Sequence, residues 1–416
     1  MTKLTIGENS RRMLRGLAAV GPFFIAARVL TAVAQILAGR WLGPVQFGKA
    51  TVVIAGSGIL FIPLVIGFPG AVVKFASMEE NAARRSLVVS TNFWMMSLWT
   101  MLCATALFLA DSPVSAVAHI PADLYGPTLL YAVLLAVFTF LASAIQGLMR
   151  FSMRGGMEFI YGLSMLLVFM AVYWSGSRTY RAFIGAMDVA LILASAASLH
   201  QLRHVLRVAW EGASARVTAA YSGPLIVSGI AGAVLSSASP LLLAARLSNR
   251  EVGYYGAYTM GSLTAAMVLF QVLNIVLAPL VSSLDRNRGA WRKFKAIFFP
   301  VAAGAFLVFC MAQITVLKLM GKNYPIEFPW IAAFSASGIA YLAFFTVMST
   351  LSVRDISGAW LGTAGTVLAG VFCAIGNVLG IRNYGFVGAP LGLIAGYGIG
   401  LAWCVFWGLR SLESSA

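Results

Sequence analysis

One arginine lies where membrane proteins rarely carry a charge. Arg28 is near the middle of an apolar stretch over residues 16–38, and Thr31 and Gln35 follow at +3 and +7, on the same face of a helix. A charge in the bilayer core is costly unless it faces a wet cavity or a counter-charge. Because a guanidinium suits phosphate oxygens, the stripe predicts a cavity face that binds a phosphate group. The alternative is a structural ion pair.

Asp188 is the carboxylate that best matches Arg28 in depth. Counted from the outer ends of their predicted helices, the two residues differ in depth by roughly 5 Å at the rise of 1.5 Å per residue. An Arg28–Asp188 ion pair is one interpretation. A proton-coupling acid is a second, because a medium of low polarity favours the protonated carboxyl group. A water-exposed position is the third.

Other polar residues give weaker signals. Glu158 follows Arg154 by four residues, which predicts an interfacial ion pair. Two further stripes consist of Thr139, Ser143 and Gln146 on one helix and Thr264, Gln271 and Asn274 on another. Hydroxyls and amides match sugar hydroxyls, so we place Gln146, Gln271 and Asn274 with Arg28, Thr31 and Gln35 as candidate substrate-binding residues. The same groups can equally hold helices together.

The elements that position these residues are long apolar helices. Of the 416 residues, 60% are hydrophobic and 10% charged, whereas a soluble domain has about 25% charged residues. Stretches long enough to span a bilayer, roughly 20 residues each, lie at 16–38, 50–72, 87–110, 126–148, 156–174, 181–199, 221–245, 254–283, 296–318, 328–350, 357–380 and 385–409. The sequence therefore predicts an all-α polytopic membrane protein with about twelve spanning helices.

The helices divide into two halves with a faint repeat. Gly21-Pro22 and Gly223-Pro224 begin the first helix of each half, and AGRWLGPVQFG and AARLSNREVG follow it, at an offset of 202 to 205 residues. Six spans separate the copies, so they share one orientation. We predict six-helix lobes over 1–199 and 221–416, parallel to each other around a central cavity. The basic, amphipathic segment 200–220 predicts a cytoplasmic linker helix on the membrane surface.

The distribution of Lys and Arg residues predicts the orientation of the protein in the membrane. The net charge is +16, and 19 of the 29 Lys and Arg residues fall in segments that are cytoplasmic if the N-terminus is inside. Both termini are therefore expected in the cytoplasm; a missed or re-entrant helix, giving an odd span count, is the alternative. The basic excess predicts contact with anionic phospholipids and not with nucleic acid.

Motifs for catalysis are absent from the sequence. It has no G-x-S-x-G, H-E-x-x-H, P-loop or dinucleotide motif, and no predicted helix carries a histidine at its centre. The four cysteines lie singly in apolar stretches, without metal-site spacing. We expect no enzymatic activity, cofactor, metal or disulfide.

Three segments carry a family resemblance. AGRWLGPVQFGKA, LSNREVGYYGAY and NYGFVGAPLGLIAGYG resemble the Gly-aromatic turns of polysaccharide transporters, the Wzx-type O-antigen flippases of the multidrug/oligosaccharidyl-lipid/polysaccharide (MOP) superfamily. The resemblance implies a flippase that moves a polyprenyl-pyrophosphate-linked oligosaccharide across the bacterial inner membrane by alternating access, for lipopolysaccharide O-antigen or exopolysaccharide. It implies a positively charged cavity, although this chain is sparse in intramembrane charge. A polysaccharide polymerase and glycosyltransferases are the implied partners.

Two alternative functions stay open, one of them a second kind of transporter and the other an enzyme. A cation-coupled exporter of drug-like amphiphiles from the same superfamily would be expected to carry more intramembrane carboxylates than Asp188. An intramembrane glycan ligase or polymerase would need a large outer loop, a buried histidine or a buried acid pair. The segment VVKFASMEENAARRSL lacks the major-facilitator pattern Gly-x-x-x-Asp-x-x-Gly-Arg.

Overall fold

The computed structural model describes residues 6–271, 288–354 and 356–413, and every regular element in these ranges is helical. The first eight helices are α1 (Ile6–Val65), α2 (Phe68–Met78), α3 (Ala82–Leu109), α4 (Asp111–Ala118), α5 (Ala122–Gly147), α6 (Phe151–Trp174), α7 (Tyr180–Leu202) and α8 (Gly212–Arg246). They are followed by α9 (Asn249–Thr259), a π-helical turn (Met260–Thr264), α10 (Arg288–Met320), α11 (Phe328–Arg354), α12 (Ile356–Tyr384), a 3₁₀ turn (Gly385–Val387) and α13 (Gly388–Glu413). The all-α prediction is confirmed.

The helices identify a multi-pass membrane protein. In the described ranges, nine helical segments are long and apolar enough to span a bilayer. Two of these segments, Pro22–Val65 and Trp360–Trp407, have 44 and 48 residues, about twice the roughly 20 that one crossing needs. The layout of twelve helices in two lobes stays a prediction.

Glycine decides where the first long helix breaks. Gly43 has φ 71° and ψ 170°, a backbone conformation that glycine adopts without steric cost. The turn predicted after the first helix is therefore a single-residue kink. A second break, which the sequence analysis missed, interrupts the helix predicted at 50–72. Gly67 has φ 72°, and Pro69 lies in the first turn of α2, where its missing N–H costs no hydrogen bond.

The surface helix predicted over residues 200–220 is wrong in its middle, because residues 203–211 are not helical. Side chains of α3 bind this segment's backbone instead. The Ser90 hydroxyl accepts a hydrogen bond from the Arg207 N–H (3.0 Å), and Thr91 accepts one from the Glu211 N–H (3.1 Å). The Trp94 indole donates to the Arg207 carbonyl (3.0 Å). These contacts give the backbone partners that compete with those of a helix.

The chain forms two compact units. Unit 1 comprises residues 1–38, 60–117 and 121–226, and unit 2 comprises residues 39–59, 118–120 and 227–416. In unit 1, α6 and α7 meet through an edge-to-face pair of Phe169 and Phe183, with ring centroids 5.2 Å apart. The core of unit 2 includes the fully buried Phe344 and Tyr397. The predicted lobe boundaries stay a prediction.

Unit 2 contains a reciprocal contact between the two repeat segments. A Cβ on Gly48 would overlap the backbone of Asn249, and a Cβ on Gly253 would overlap the backbone of Pro44. Gly253 is 205 residues after Gly48, and Asn249 is 205 residues after Pro44. Each segment therefore presents the same position to the other, as twofold-related copies do. This geometry supports the internal repeat at the offset that the sequence predicted.

Candidate functional site

Arg28 occupies a half-buried position in unit 1. Its guanidinium carbon lies 4.7 Å from the ring centroid of Phe24, one turn earlier on α1, a cation–π distance. Its Nε is buried and has no hydrogen-bond partner. Within the described residues, no carboxylate lies at ion-pair distance from Arg28. The cation thus keeps donor capacity for a further ligand.

Asp188 of α7 is buried, with 9% of its surface exposed, and its Oδ1 has no hydrogen-bond partner. The ion pair considered for Arg28 and Asp188 is not formed in the structure. Both side chains instead interact electrostatically with the Tyr161 hydroxyl. Arg28 and Asp188 were predicted at similar depths in the membrane. Depth alone does not make two side chains meet, because it does not determine which way each helix faces.

Two tyrosines that the sequence analysis missed complete this cluster. The hydroxyls of Tyr131 on α5 and Tyr161 on α6 interact with each other, and Tyr131 also interacts with Asp188. Tyr161 follows Glu158 by three residues, so the two share one face of α6. This three-residue spacing from Glu158 is the feature of the sequence by which Tyr161 could have been found. The structure therefore gathers Arg28, Asp188 and two phenols within unit 1.

Glu158 is neutralised on its own helix. Its Oε1 lies 2.7 Å from Nη1 of Arg154, one turn earlier on α6, which confirms the predicted pair. Glu158 is buried, so breaking the pair would leave an uncompensated charge. Glu158 is therefore engaged by Arg154 and is not the counter-charge of Arg28.

Thr31 and Gln35 lie beside Arg28 on α1, and both are half-buried. The Thr31 hydroxyl donates to the Ala27 carbonyl (2.9 Å) in its own helix. A Cβ on Gly162 of α6 would lie 2.8 Å from that carbonyl and 3.3 Å from the Thr31 hydroxyl. This part of α1 therefore packs closely on α6, and Thr31 lies in the helix contact. A substrate role for Thr31 and Gln35 stays a prediction.

The remaining predicted residues lie elsewhere. Gln146 is exposed near the end of α5 in unit 1, and Gln271 is exposed in unit 2. Asn274 is outside the described residues. Within unit 1 the structure thus brings Arg28 and Asp188 to one cluster and does not bring Gln146 to it.

The helical fold of this chain is similar to that of solved transporters, among them members of the MOP superfamily. An inward-facing multidrug resistance MATE family transporter of that superfamily matches with a TM-score of 0.70 and 11% identity, over 93% of this chain and 95% of that one. The lipid II flippase MurJ, in an inward closed conformation, matches with a TM-score of 0.69 and 13% identity, over 93% and 87%. A mutant of the Vibrio cholerae MATE transporter VcmN matches with a TM-score of 0.60 and 15% identity, over 97% and 98%.

The family follows from the sequence. The profile of a family described as polysaccharide biosynthesis protein matches residues 14–285. The chain therefore belongs to the polysaccharide biosynthesis protein family, as the resemblance predicted. Among curated proteins, none matches the chain in sequence.

Proposed function

We propose that this protein is a flippase that moves a polyprenyl-pyrophosphate-linked oligosaccharide across the bacterial inner membrane by alternating access. The observation that carries the proposal is Arg28, an intramembrane guanidinium without an acidic partner among the described residues. An ionisable residue within a membrane helix marks a substrate or ion path by default. Membership of the polysaccharide biosynthesis family supports a sugar-bearing substrate.

In this proposal Arg28 recognises the negative charge of the substrate. A guanidinium offers a planar set of donors that fits two phosphate oxygens at once. The Phe24 ring supports one side of the guanidinium, which favours a fixed orientation toward a diphosphate. Thr31, Gln35, Gln146, Gln271 and Asn274 are assigned to the sugar hydroxyls in this proposal.

In this proposal Asp188 couples transport to the uptake of a proton or a cation. Its buried carboxyl group has an unpartnered oxygen and two tyrosine hydroxyls as electrostatic neighbours. Taking up a proton or a cation there would remove the cost of a buried charge. The same observation favours a second candidate function, a cation-coupled exporter of drug-like amphiphiles, because coupling alone does not specify the cargo.

The proposed setting is the inner membrane, with both termini in the cytoplasm. Anionic phospholipids contact the basic inner loops. Glycosyltransferases act on the lipid-linked sugar before transport, and a polysaccharide polymerase acts on it afterwards. A topology reporter fused after Ala416 tests the orientation. Activity of that reporter only in the periplasm would contradict it.

The decisive experiment is transport in vesicles. Purified protein is reconstituted with a fluorescent polyprenyl-pyrophosphate oligosaccharide, and a membrane-impermeant reagent measures how much lipid changes leaflet. Wild type and the exposed-site control Arg40→Ala should move the lipid and return it chemically unchanged, whereas Arg28→Ala should not move it. Movement of a drug-like amphiphile alone would favour the exporter, and a new glycosidic product would favour the ligase or polymerase.

A further inference from the structure

A groove of about 380 Å³ runs between α3 and α5 in unit 1. Phe93, Met96, Met101 and Ala104 of α3 and Val137 and Phe140 of α5 are among its lining residues. The α3 part of the lining extends from residue 93 to residue 105, about 18 Å along the helix axis. The groove therefore follows the direction of the helices for about the depth of one leaflet, half of the roughly 30 Å hydrocarbon core.

Contacts between the two helices flank the groove. At one end Phe93 packs on Phe140, with ring centroids 6.1 Å apart. At the other end the Tyr125 hydroxyl of α5 donates to the Leu107 carbonyl of α3 (2.7 Å). These contacts bound the stretch over which the groove is lined, from residue 93 to residue 105 on α3.

Apart from Ser97, the polar residues in the wall of the groove are two threonines whose hydroxyls donate to backbone carbonyls, so the wall is largely apolar. The Thr100 hydroxyl donates to the Leu64 carbonyl (3.0 Å), and the Thr105 hydroxyl donates to the Met101 carbonyl (2.9 Å). Met96 and Met101 contribute flexible side chains that adapt to a chain of varying shape. A hydrocarbon chain fits such a wall, and a sugar does not.

A cationic residue lies beside the Phe93 end. Trp94 follows Phe93 and donates its indole N–H to the Arg207 carbonyl (3.0 Å). The Arg207 side chain is exposed and forms no ion pair with the described residues. Nearby, Val208 and Trp210 are 95% and 59% exposed. Exposed Trp beside a basic residue is typical of the headgroup level of a membrane.

We propose that the α3–α5 groove binds one acyl chain of an anionic phospholipid, with its phosphate on the Arg207 guanidinium. A phospholipid fits better than a polyprenyl carrier because the lining of the groove extends for only about one leaflet's depth, and a polyprenyl chain is far longer. This inference requires only that the protein lies in a membrane. It does not depend on the proposed flippase activity.

Native mass spectrometry of the delipidated, detergent-solubilised protein tests the site, with dioleoyl-phosphatidylglycerol as the probe and dioleoyl-phosphatidylcholine as its neutral counterpart. Ala104→Trp fills the groove and should weaken phosphatidylglycerol binding about tenfold or more. Its matched control is Leu102→Trp, at a 55% exposed position of the same helix, which should bind as wild type does. Arg207→Gln should reduce the preference for phosphatidylglycerol about fivefold, while Arg216→Gln, another exposed position, should keep it.

Three outcomes would overturn the proposal. Equal phosphatidylglycerol binding by Ala104→Trp and Leu102→Trp would exclude the groove. An unchanged headgroup preference in Arg207→Gln would show that the lipid phosphate does not bind Arg207. Tighter binding of undecaprenyl phosphate than of phosphatidylglycerol, lost in Ala104→Trp, would assign the groove to the carrier lipid. If Ala104→Trp does not fold, Val137→Phe blocks the same space from α5.

Discussion

Gly48 and Gly253 occupy equivalent positions, 205 residues apart, and each lies against the backbone of the other's repeat segment. Close approach of two backbones requires a residue without a side chain. The contact therefore depends on both glycines.

Gly48→Ala and Gly253→Ala should each force these segments apart. Because the obstructing atoms are backbone, relaxation is limited, and we expect a loss of about 1–3 kcal/mol in the stability of this conformation. Gly304→Ala is the control, since a Cβ there meets nothing within 4 Å. Thermal unfolding measures the loss. Unchanged melting temperatures for both variants would show that the close contact does not form in the membrane.

Arg28 and Asp188 should not behave as the two halves of an ion pair. Since they do not pair in the structure, Arg28→Ala should abolish transport and keep protein abundance, and Arg28→Lys should keep partial transport. The double variant Arg28→Ala with Asp188→Ala should not recover. The measurement is transport per folded molecule for each single variant and the double. Full activity in the double variant would refute phosphate binding by Arg28 and restore the ion-pair interpretation.

Ser90→Ala should release the segment 203–211 from α3. The Ser90 hydroxyl is buried and bonds the backbone of this segment, so its loss leaves the Arg207 N–H without that partner, at a cost of about 1–3 kcal/mol. Limited trypsin digestion should then cleave faster after Arg203 or Arg207. Ser115→Ala, at a half-buried site on α4, is the control. Equal cleavage rates in both variants would contradict the anchoring role.

Tyr324→Phe should destabilise unit 2 in a pH-dependent way. The buried Tyr324, in the loop between α10 and α11, donates to the Gly39 carbonyl (2.9 Å), and loss of this bond should cost about 1 kcal/mol. Burial, followed by the neighbouring Tyr254, raises the pKa of the Tyr324 phenol. The folded state therefore favours the neutral phenol, and the advantage of wild type should be full below about pH 10 and shrink above it.

Melting temperatures of wild type and Tyr324→Phe at about pH 8 and above about pH 10 test this expectation. Tyr384→Phe, at a 67% exposed position, serves as the control. A difference between wild type and Tyr324→Phe that grows with pH would contradict the assigned direction.

The sequence by itself determined the class of the fold and the position of Arg28 as a charge within an apolar helix. Spanning helices are local features, because some twenty apolar residues in a row need no distant partner to be recognised. Accordingly, the helix predicted at 181–199 corresponds closely to α7, and the 205-residue offset reappears between Gly48 and Gly253. The Arg154–Glu158 pair was predictable for the same reason, since both residues lie on one helix.

Only the tertiary structure decided which side chains meet across helices. Depth along a helix can be counted from the sequence, but rotation about its axis is set by packing, so Arg28 and Asp188 matched in depth and still do not pair. The same packing brought Tyr131 and Tyr161 to them. It also supplied the hydroxyls of α3 that hold residues 203–211 out of a helix, because a backbone segment takes whichever hydrogen-bond partners its neighbours present.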